Sequence, residues 1–149
     1  MLQAGDEAPD FSLESEEGET VTLSALRGRP VVFYFYPKDD TPGCTTQACA
    51  LRDGYGEIAA LGAAIYGISP DDAESHRSFR AKYGLPFPLL VDTDHAVADA
   101  YGAWGPRPNG EPGIVRSAFV VGADGRLVHA SYGVKPEDTA PEALAALSA

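Results

Sequence analysis

The feature that most constrains the fold is an apolar run at residues 31–36, VVFYFY, which is soon followed by both cysteines of the chain. The run has no polar alternation and is rich in β-branched and aromatic residues, so it predicts a central strand covered on both faces. In sheets of this kind, reactive groups lie just beyond the carboxyl ends of the strands. The segment from Pro37 to Cys49 follows directly, so it occupies the place where a site is expected.

Short strands and helices alternate along the rest of the chain. Strands are predicted within residues 10–23, as a pair around a turn, and at residues 63–68, 87–91, 117–121 and 127–131. Helices are predicted at residues 43–60, 70–83, 93–101 and from residue 139 onward, with Ser69 as the cap of the second. Residues 102–113 are rich in Gly and Pro and predict a loop. This order predicts one α/β domain over residues 1–149, with a mixed central β-sheet, helices on both faces and an N-terminal β extension.

The charge of the chain argues against two classes of partner. The 149 residues carry a formal net charge of −11, which disfavours binding to nucleic acid or to an anionic membrane surface. No apolar stretch is long enough to span a bilayer, and the first residues lack the basic start and apolar core of a secretory signal. We therefore expect a cytoplasmic protein, in a compartment where thiols stay reduced.

Cys44 lies where a helix is predicted to begin. Thr41, Pro42 and Cys44 match the N-cap, N1 and N3 positions, and proline suits N1 because no amide hydrogen is needed there. Free amide hydrogens and the helix dipole favour negative charge in the first turn. The sequence therefore predicts that Cys44 reacts as a thiolate nucleophile.

A helix terminus alone does not make an efficient thiol catalyst. An ordinary cysteine is about 3% thiolate at pH 7, so complete ionisation gains roughly thirtyfold. A more acidic thiol is also a weaker nucleophile, and this reduces the gain in rate by roughly tenfold. A second group must stabilise the charge that moves during the reaction, and the candidates are the Thr41 hydroxyl, the amides of Gly43 and Cys44, and Arg116. Arg116 leads directly into an apolar strand, and we expect it beside a Cys44 sulfur that solvent can reach.

The spacing of the two cysteines predicts a conformational change. Residues five apart on an ideal helix have Cα atoms about 8.6 Å apart, whereas a disulfide needs less than about 7 Å. Cys44 and Cys49 therefore cannot bond while the helix is intact. Gly54 and Gly56 each weaken it by roughly 1 kcal/mol, which makes local unwinding easier.

This stretch resembles the peroxiredoxins, whose signature Pro-x-x-x-Thr-x-x-Cys is present as Pro37, Thr41 and Cys44. The longer run FYFYPKDDTPGCTTQAC is similar to the bacterioferritin comigratory protein, or Q, subgroup. That subgroup has its second cysteine five residues after the first, matching Cys49. Arg116, before SAFVV, matches the active-site arginine of the family.

The resemblance also covers the opening residues 5–11, GDEAPDF, and extends over most of the chain. Gln47, between the two cysteines, stands where this subgroup usually has Glu. The family implies a thioredoxin-like fold and a thiol peroxidase that uses neither metal nor haem.

The resemblance further implies a role for each site residue. Cys44 would attack the peroxide and become a sulfenic acid, and Cys49 would condense with it into an intramolecular disulfide. Thioredoxin or a similar dithiol protein would reduce that disulfide. Thr41 and Arg116 would polarise the peroxide, and Pro37 would shield the sulfur from water. Because the cysteine pair is internal, we expect a monomer.

Two other functions remain open from the residues alone. A general dithiol-disulfide reductase needs a tighter Cys-x-x-Cys motif than this chain has. A non-enzymatic redox sensor or holdase could use the same disulfide as a switch. A zinc site is a weaker hypothesis, because two cysteines do not complete a tetrahedral shell of ligands.

Other polar and aromatic residues have structural explanations. The histidines lack ligand spacing and are interpreted as structural or exposed; they are His76, His95 and His129. Four aspartates could suggest a cation site, but capping of helices explains them better; they are Asp71, Asp72, Asp92 and Asp94. Trp104 could line a substrate opening or anchor the Gly/Pro-rich segment.

Overall fold

The structure is a computed structural model that describes residues 1–107 and 110–148. The strands are β1 (Ser12–Ser15), β2 (Thr20–Thr22), β3 (Val31–Phe35), β4 (Ala64–Ser69), β5 (Leu89–Val91), β6 (Trp104–Pro106), β7 (Pro112–Ile114), β8 (Ser117–Val121) and β9 (Leu127–Tyr132). The α-helices are α1 (Pro42–Asp53), α2 (Tyr55–Ala60), α3 (Ala73–Tyr83), α4 (Ala96–Ala100) and α5 (Thr139–Ser148). Short 3-10 helices cover Leu23–Leu26 and Pro136–Asp138.

A seven-stranded mixed sheet organises the molecule, in the order β2-β1-β5-β4-β3-β8-β9. Strands β3, β4 and β5 are parallel, whereas β8 runs antiparallel to β3 and β1 runs antiparallel to β5. Every residue of β3 is buried, which confirms the predicted central strand. The predicted N-terminal extension is the β1–β2 pair, which adds to the sheet beside β5.

Each face of the sheet is covered by its own apolar cluster, because side chains of β3 alternate between the two faces. Val32 and Tyr34 point into a cluster that includes residues of α1, α2, α3 and α5. Phe33 and Phe35 point into a second cluster with Phe11 and residues of α4. Helices therefore lie on both faces, as predicted, but the longer ones are on the α1 side.

Two predicted elements differ from the structure. The helix expected at residues 43–60 is two helices, and Gly54, with φ −91° and ψ 2°, lies between them. The loop expected at residues 102–113 contains the β6–β7 ribbon, with Trp104 paired to Ile114. Glycine and proline are poor strand formers, but Trp104 and Ile114 both pack in the second cluster, and that packing outweighs the local preference.

The cap of α3 also differs from the prediction. Asp72, not Ser69, is the N-cap, and its carboxylate accepts a hydrogen bond from the Ser75 amide at 2.9 Å. Ser69 is still the last residue of β4, and its hydroxyl donates to Asp71 instead. In the described part of the chain, no helix has the length and apolarity required to cross a bilayer.

Candidate active site

Helix α1 begins as the sequence predicts, with Thr41 at the N-cap and Pro42 at N1. Its first turn contains no acidic residue, so no carboxylate competes with a thiolate for the free amide hydrogens. The Thr41 side chain differs from the expectation, because it makes no capping bond. Its hydroxyl donates instead to the Lys38 carbonyl oxygen at 2.8 Å.

Arg116 lies beside Cys44, although 72 positions separate them in the chain. Its Nη2 atom donates to the Cys44 sulfur across 3.5 Å. The sheet explains this contact, because β8 is antiparallel to β3 and pairs Ser117 with Phe35. The residue before β8 is thereby brought next to the residues that follow β3, so the predicted approach of Arg116 to Cys44 is confirmed.

Gln47 holds the guanidinium in place, a function that the sequence alone did not reveal. Its side-chain oxygen accepts a hydrogen bond from Arg116 Nη1 at 2.7 Å, and its nitrogen donates to the Thr139 hydroxyl at 2.9 Å. Gln47 is fully buried. The signal for its role was its position three residues after Cys44, which places both side chains on one side of the helix.

The guanidinium is also fitted closely against the start of α1. A Cβ atom at Gly43 would lie 3.0 Å from Arg116 Nη2, which is a tighter contact than a side chain normally makes. Among residues 1–107 and 110–148, Arg116 has no ion-pair partner. Within that described part, no carboxylate forms an ion pair with the guanidinium that faces the sulfur.

The expectation that solvent reaches the sulfur is wrong for this conformation. Cys44 is only 1% exposed and packs with Tyr34 and Ala48 in the cluster under α1. The reason is that the sulfur is covered by the Arg116 guanidinium and by the apolar cluster in which Cys44 packs. Its surroundings are nonetheless polar on one side, because the guanidinium donates to it.

A pocket of about 290 Å³ opens on the outer side of Arg116. Pro37 and Arg116 both line it, as do the apolar side chains of Ile114, Val115 and Val134. Arg116 thus contacts the sulfur and also forms part of the pocket wall. The pocket has room for a small substrate with an apolar group, and its charged lining residues are Arg107 and Arg116.

Cys49 lies farther along α1 and is half-buried, and neither cysteine is bonded in this structure. Because α1 is helical from Pro42 to Asp53, the two Cα atoms keep the helical separation of about 8.6 Å. The structure therefore brings Arg116, Pro37 and Cys44 together but holds Cys49 apart. Disulfide formation requires α1 to unwind.

The remaining candidates have contacts that fit structural roles. Asp92 and Asp94 accept hydrogen bonds from amides around the start of α4, as predicted for caps. Trp104 stacks on His95, with ring centroids 3.6 Å apart, and does not line the pocket. His76 is fully buried, and its Nδ1 atom lies 2.6 Å from the Asp39 carboxylate.

Comparison with known proteins agrees with this geometry. Residues 4–130 match the AhpC/TSA family. Peroxiredoxin Bcp from Bacillus subtilis is 46% identical over 149 residues, which cover 98% of this chain and 95% of the relative. The bacterioferritin comigratory protein of Xanthomonas campestris, in a structure whose name refers to alkyl peroxide reduction, superposes with a TM-score of 0.90 and 38% identity over 97% of each chain.

A cysteine-to-serine mutant of PrxQ from Xylella fastidiosa superposes with a TM-score of 0.93 and 32% identity, covering 99% of this chain and 96% of that one. These superpositions confirm the predicted thioredoxin-like fold. The sequence match, the near-complete coverage and the arginine beside the first cysteine together establish that this chain belongs to the AhpC/TSA family, as a peroxiredoxin of the Bcp/Q type.

Proposed function

We propose that this thiol peroxidase reduces peroxides through Cys44, with Cys49 as the second thiol. The observation that carries the proposal is the 3.5 Å contact between Arg116 and the Cys44 sulfur at the start of α1. In the first step, the Cys44 thiolate attacks the terminal peroxide oxygen and the O–O bond breaks. The sulfur loses two electrons and becomes a sulfenic acid, and the displaced oxygen leaves as water or an alcohol after taking a proton.

Arg116 and Thr41 act on the two oxygens of the substrate. The guanidinium carries the fixed charge that stabilises the negative oxygen as the O–O bond breaks. The Thr41 hydroxyl already donates its hydrogen to the Lys38 carbonyl, so its lone pairs are available to accept the O–H of the peroxide. Pro37 forms the pocket wall beside Arg116 and keeps water away from the reacting atoms.

Cys49 completes the oxidative half of the cycle. Its thiol condenses with the Cys44 sulfenic acid, so a disulfide forms and one water molecule is released. Because the two residues lie five apart on α1, the helix must unwind before the sulfurs meet. The thiolate of an external dithiol protein then attacks one sulfur of this disulfide, and its second thiol attacks the resulting mixed disulfide, which restores both thiols of the enzyme.

The pocket favours both hydrogen peroxide and small organic hydroperoxides. Hydrogen peroxide needs only the Arg116 guanidinium, whereas an organic group can lie against Ile114, Val115 and Val134. The Xanthomonas campestris relative carries alkyl peroxide reduction in its name, which supports the same class of substrate for this chain. We propose thioredoxin as the reductant and a monomeric, cytoplasmic enzyme formed as one domain by residues 1–149.

The proposal is tested by mass spectrometry under non-reducing conditions after one equivalent of hydrogen peroxide. We expect one intramolecular disulfide in the wild type and a stable sulfenic acid in Cys49→Ser. Cys44→Ser should consume no peroxide. Recycling by thioredoxin should occur in the wild type and fail in Cys49→Ser. Cys49→Ser is also the matched control for Cys44→Ser, because the same substitution removes the other thiol.

Peroxide consumption by Cys44→Ser at the wild-type rate would refute the role of Cys44. Normal recycling of Cys49→Ser through thioredoxin would refute the role of Cys49. A disulfide that joins two chains, visible as a doubled mass, would refute both the intramolecular step and the monomer.

A further inference from the structure

The segment that precedes α1 is bound to α3 by two consecutive aspartates. The Asp39 carboxylate accepts hydrogen bonds from the Ser75 hydroxyl at 2.8 Å and from the Tyr36 hydroxyl, and its other partner is His76. The Asp40 carboxylate accepts from Lys82 and Tyr83, at the other end of α3, at 2.7 Å each. Residues 39 and 40 are therefore fixed along most of the length of that helix.

His76 is the centre of this attachment. It is fully buried, with Nδ1 2.6 Å from the Asp39 carboxylate and Nε2 2.8 Å from the Leu90 carbonyl oxygen. A carbonyl oxygen only accepts, so Nε2 carries a hydrogen. When the Asp39 carboxylate accepts from Tyr36, Ser75 and Nδ1 together, both ring nitrogens carry a hydrogen and His76 is an imidazolium.

The groups around the ring support its charge. Asp39 faces it from the segment before α1, Asp71 from the turn before α3 and the Tyr36 ring from the end of β3, whereas β5 contributes the Leu90 carbonyl. Burial alone lowers the pKa of His76, but the Asp39 hydrogen bond and charge, the Leu90 carbonyl and Asp71 raise that pKa above its ordinary value.

The same cluster does not suit a metal ion. Oxygen or nitrogen atoms of Asp39, Asp71 and His76 lie within 4.8 Å of one another. A histidine binds metal through a free lone pair, and both ring nitrogens of His76 face oxygen acceptors instead. The cluster is a closed hydrogen-bond network between two parts of the chain.

The backbone connects this network to two residues of the proposed site, because Asp39 lies between Pro37 and Thr41 in the chain. The Asp39 amide donates to Asp71 at 2.7 Å, so the backbone as well as the side chain is held. Pro37 lies two residues before Asp39 and forms the pocket wall. Thr41 lies two residues after it, and its hydroxyl depends on the Lys38 carbonyl for its orientation.

We propose that His76 is a positioning residue for peroxide reduction, because its pairing with Asp39 holds residues 36–40 in place beside the folded start of α1. Pro37 and the Thr41 hydroxyl then keep their positions in the folded enzyme, and the unwinding that joins the cysteines starts beyond Thr41. This inference rests on the proposed function, since it concerns the residues that surround the Cys44 sulfur.

The proposal makes the first chemical step depend on pH. When His76 loses a proton, the neutral ring has one N–H group and cannot donate both to Asp39 and to Leu90. Residues 36–40 are then held less firmly, and the reaction of Cys44 with peroxide slows. The later disulfide step does not slow, because it needs movement of α1 and not the geometry of the pocket.

The test compares wild type with His76→Asn, whose amide can still donate near the position of Nδ1 but does not titrate. Rapid-mixing measurements give the rate of Cys44 oxidation and the rate of disulfide formation separately, from pH 5 to pH 10. We expect Cys44 oxidation to be about tenfold slower in His76→Asn, with the disulfide rate changed less than twofold. The wild-type oxidation rate should fall at alkaline pH, and that fall should be absent in the variant.

Nitrogen-15 NMR of the histidine rings provides a second, independent measurement. The two ring nitrogens of His76 should both be protonated at pH 7, and Asp39→Asn should shift the His76 titration to lower pH while keeping the side-chain shape. His129→Asn is the matched control, because it removes another histidine–carboxylate pair, that with Glu142, away from the pocket. It should leave both rates and both pH profiles unchanged.

Four outcomes would overturn the proposal while the peroxidase assignment stands. These are a neutral His76 at pH 7, wild-type kinetics in His76→Asn, equal slowing of both steps, or an unchanged pH profile in the variant. If His76→Asn does not fold, Asp39→Asn replaces it in the kinetic comparison: Cys44 oxidation should be slower than in the wild type, and its fall should begin at lower pH. Failure of the wild type to oxidise Cys44 with peroxide would instead refute the proposed function itself.

Discussion

The segment before α1 and the helix itself differ in how they are held. Residues 36–40 are attached to α3 through the buried Asp39–His76 pair and through Asp40, so several charged hydrogen bonds would have to break together before they move. Helix α1 has no side-chain cap at its start and ends at Gly54. Local opening follows the weaker attachments of a fold. The difference places the boundary between fixed and movable parts at Thr41.

This boundary suits a cycle with two different requirements. Peroxide reduction needs the guanidinium and the pocket wall to be fixed, because electrostatic stabilisation depends on groups that are already in position. Disulfide formation needs the Cα atoms of two cysteines on one helix to approach by more than about 1 Å. A rigid segment that leads into a helix with weak ends satisfies both requirements within one stretch of chain.

The strongest test of the fixed part is Arg116→Ala. Removing the guanidinium takes away the charge beside the sulfur, so we expect Cys44 oxidation to slow by about 100- to 1,000-fold. Stopped-flow oxidation by hydrogen peroxide measures this rate, and thermal unfolding measures stability. Arg116→Lys is the matched control, because it keeps the charge but loses the two-pronged contact with Gln47 and Cys44. Equal losses of rate and of stability would identify a structural arginine instead.

Gly43→Ala should perturb the same part by a smaller amount. The new Cβ would lie 3.0 Å from Arg116 Nη2, so the guanidinium must shift by a few tenths of an ångström. We expect Cys44 oxidation to slow by about tenfold, because transition-state contacts are sensitive to small displacements. Gly56→Ala is the control, since its Cβ would have no neighbour within 4 Å. An unchanged oxidation rate in Gly43→Ala would contradict the importance of this close fit.

Gly54→Ala tests the movable part. Its Cβ would be 3.5 Å from the Ala50 carbonyl oxygen, which is an ordinary contact, so alanine fits. Alanine can adopt the φ of −91° at this cap and is less flexible than glycine when the helix opens, which favours intact α1 by up to about 1 kcal/mol, so disulfide formation should slow by up to about fivefold. Cys44 oxidation should not change. The disulfide rate is measured by quenched mass spectrometry, and an unaffected rate would mean that unwinding stops before residue 54.

The smallest expected effect is on the pH dependence of stability. The folded protein binds the His76 proton more tightly than the unfolded chain, because the pKa of His76 is raised from its ordinary 6.5. This contribution to stability is complete below that ordinary value and is lost as pH rises through the folded-state pKa. The urea midpoint of unfolding is measured for the wild type and for His76→Asn at each pH. The wild-type midpoint minus the variant midpoint should therefore decrease as the pH rises from 6 to alkaline values. A difference that rises with pH would contradict the assigned charge.

Much of the fold and the chemistry could be predicted from local patterns. The unbroken apolar run predicted β3 in the centre of the sheet, and Thr41-Pro42 predicted the start of α1. The peroxiredoxin signature identified Cys44, and the position of Arg116 before an apolar strand predicted their contact. The errors fell where packing outweighs propensity, as in the β6–β7 ribbon, or where two polar side chains compete to cap a helix, as with Ser69 and Asp72.

The sequence by itself predicted the nucleophile and the second thiol five residues later, and it determined the helix that keeps the two cysteines apart, because each depends on neighbours within a few positions. Only the tertiary structure decided how the guanidinium is held and which part of the site stays fixed. Gln47 reaches Thr139 across 92 positions, and Asp39 reaches His76 across 37. Contacts of that span depend on strand order and on how the helices pack against the sheet, which no local periodicity encodes. The enclosure of the Cys44 sulfur, which the sequence did not predict, has the same origin.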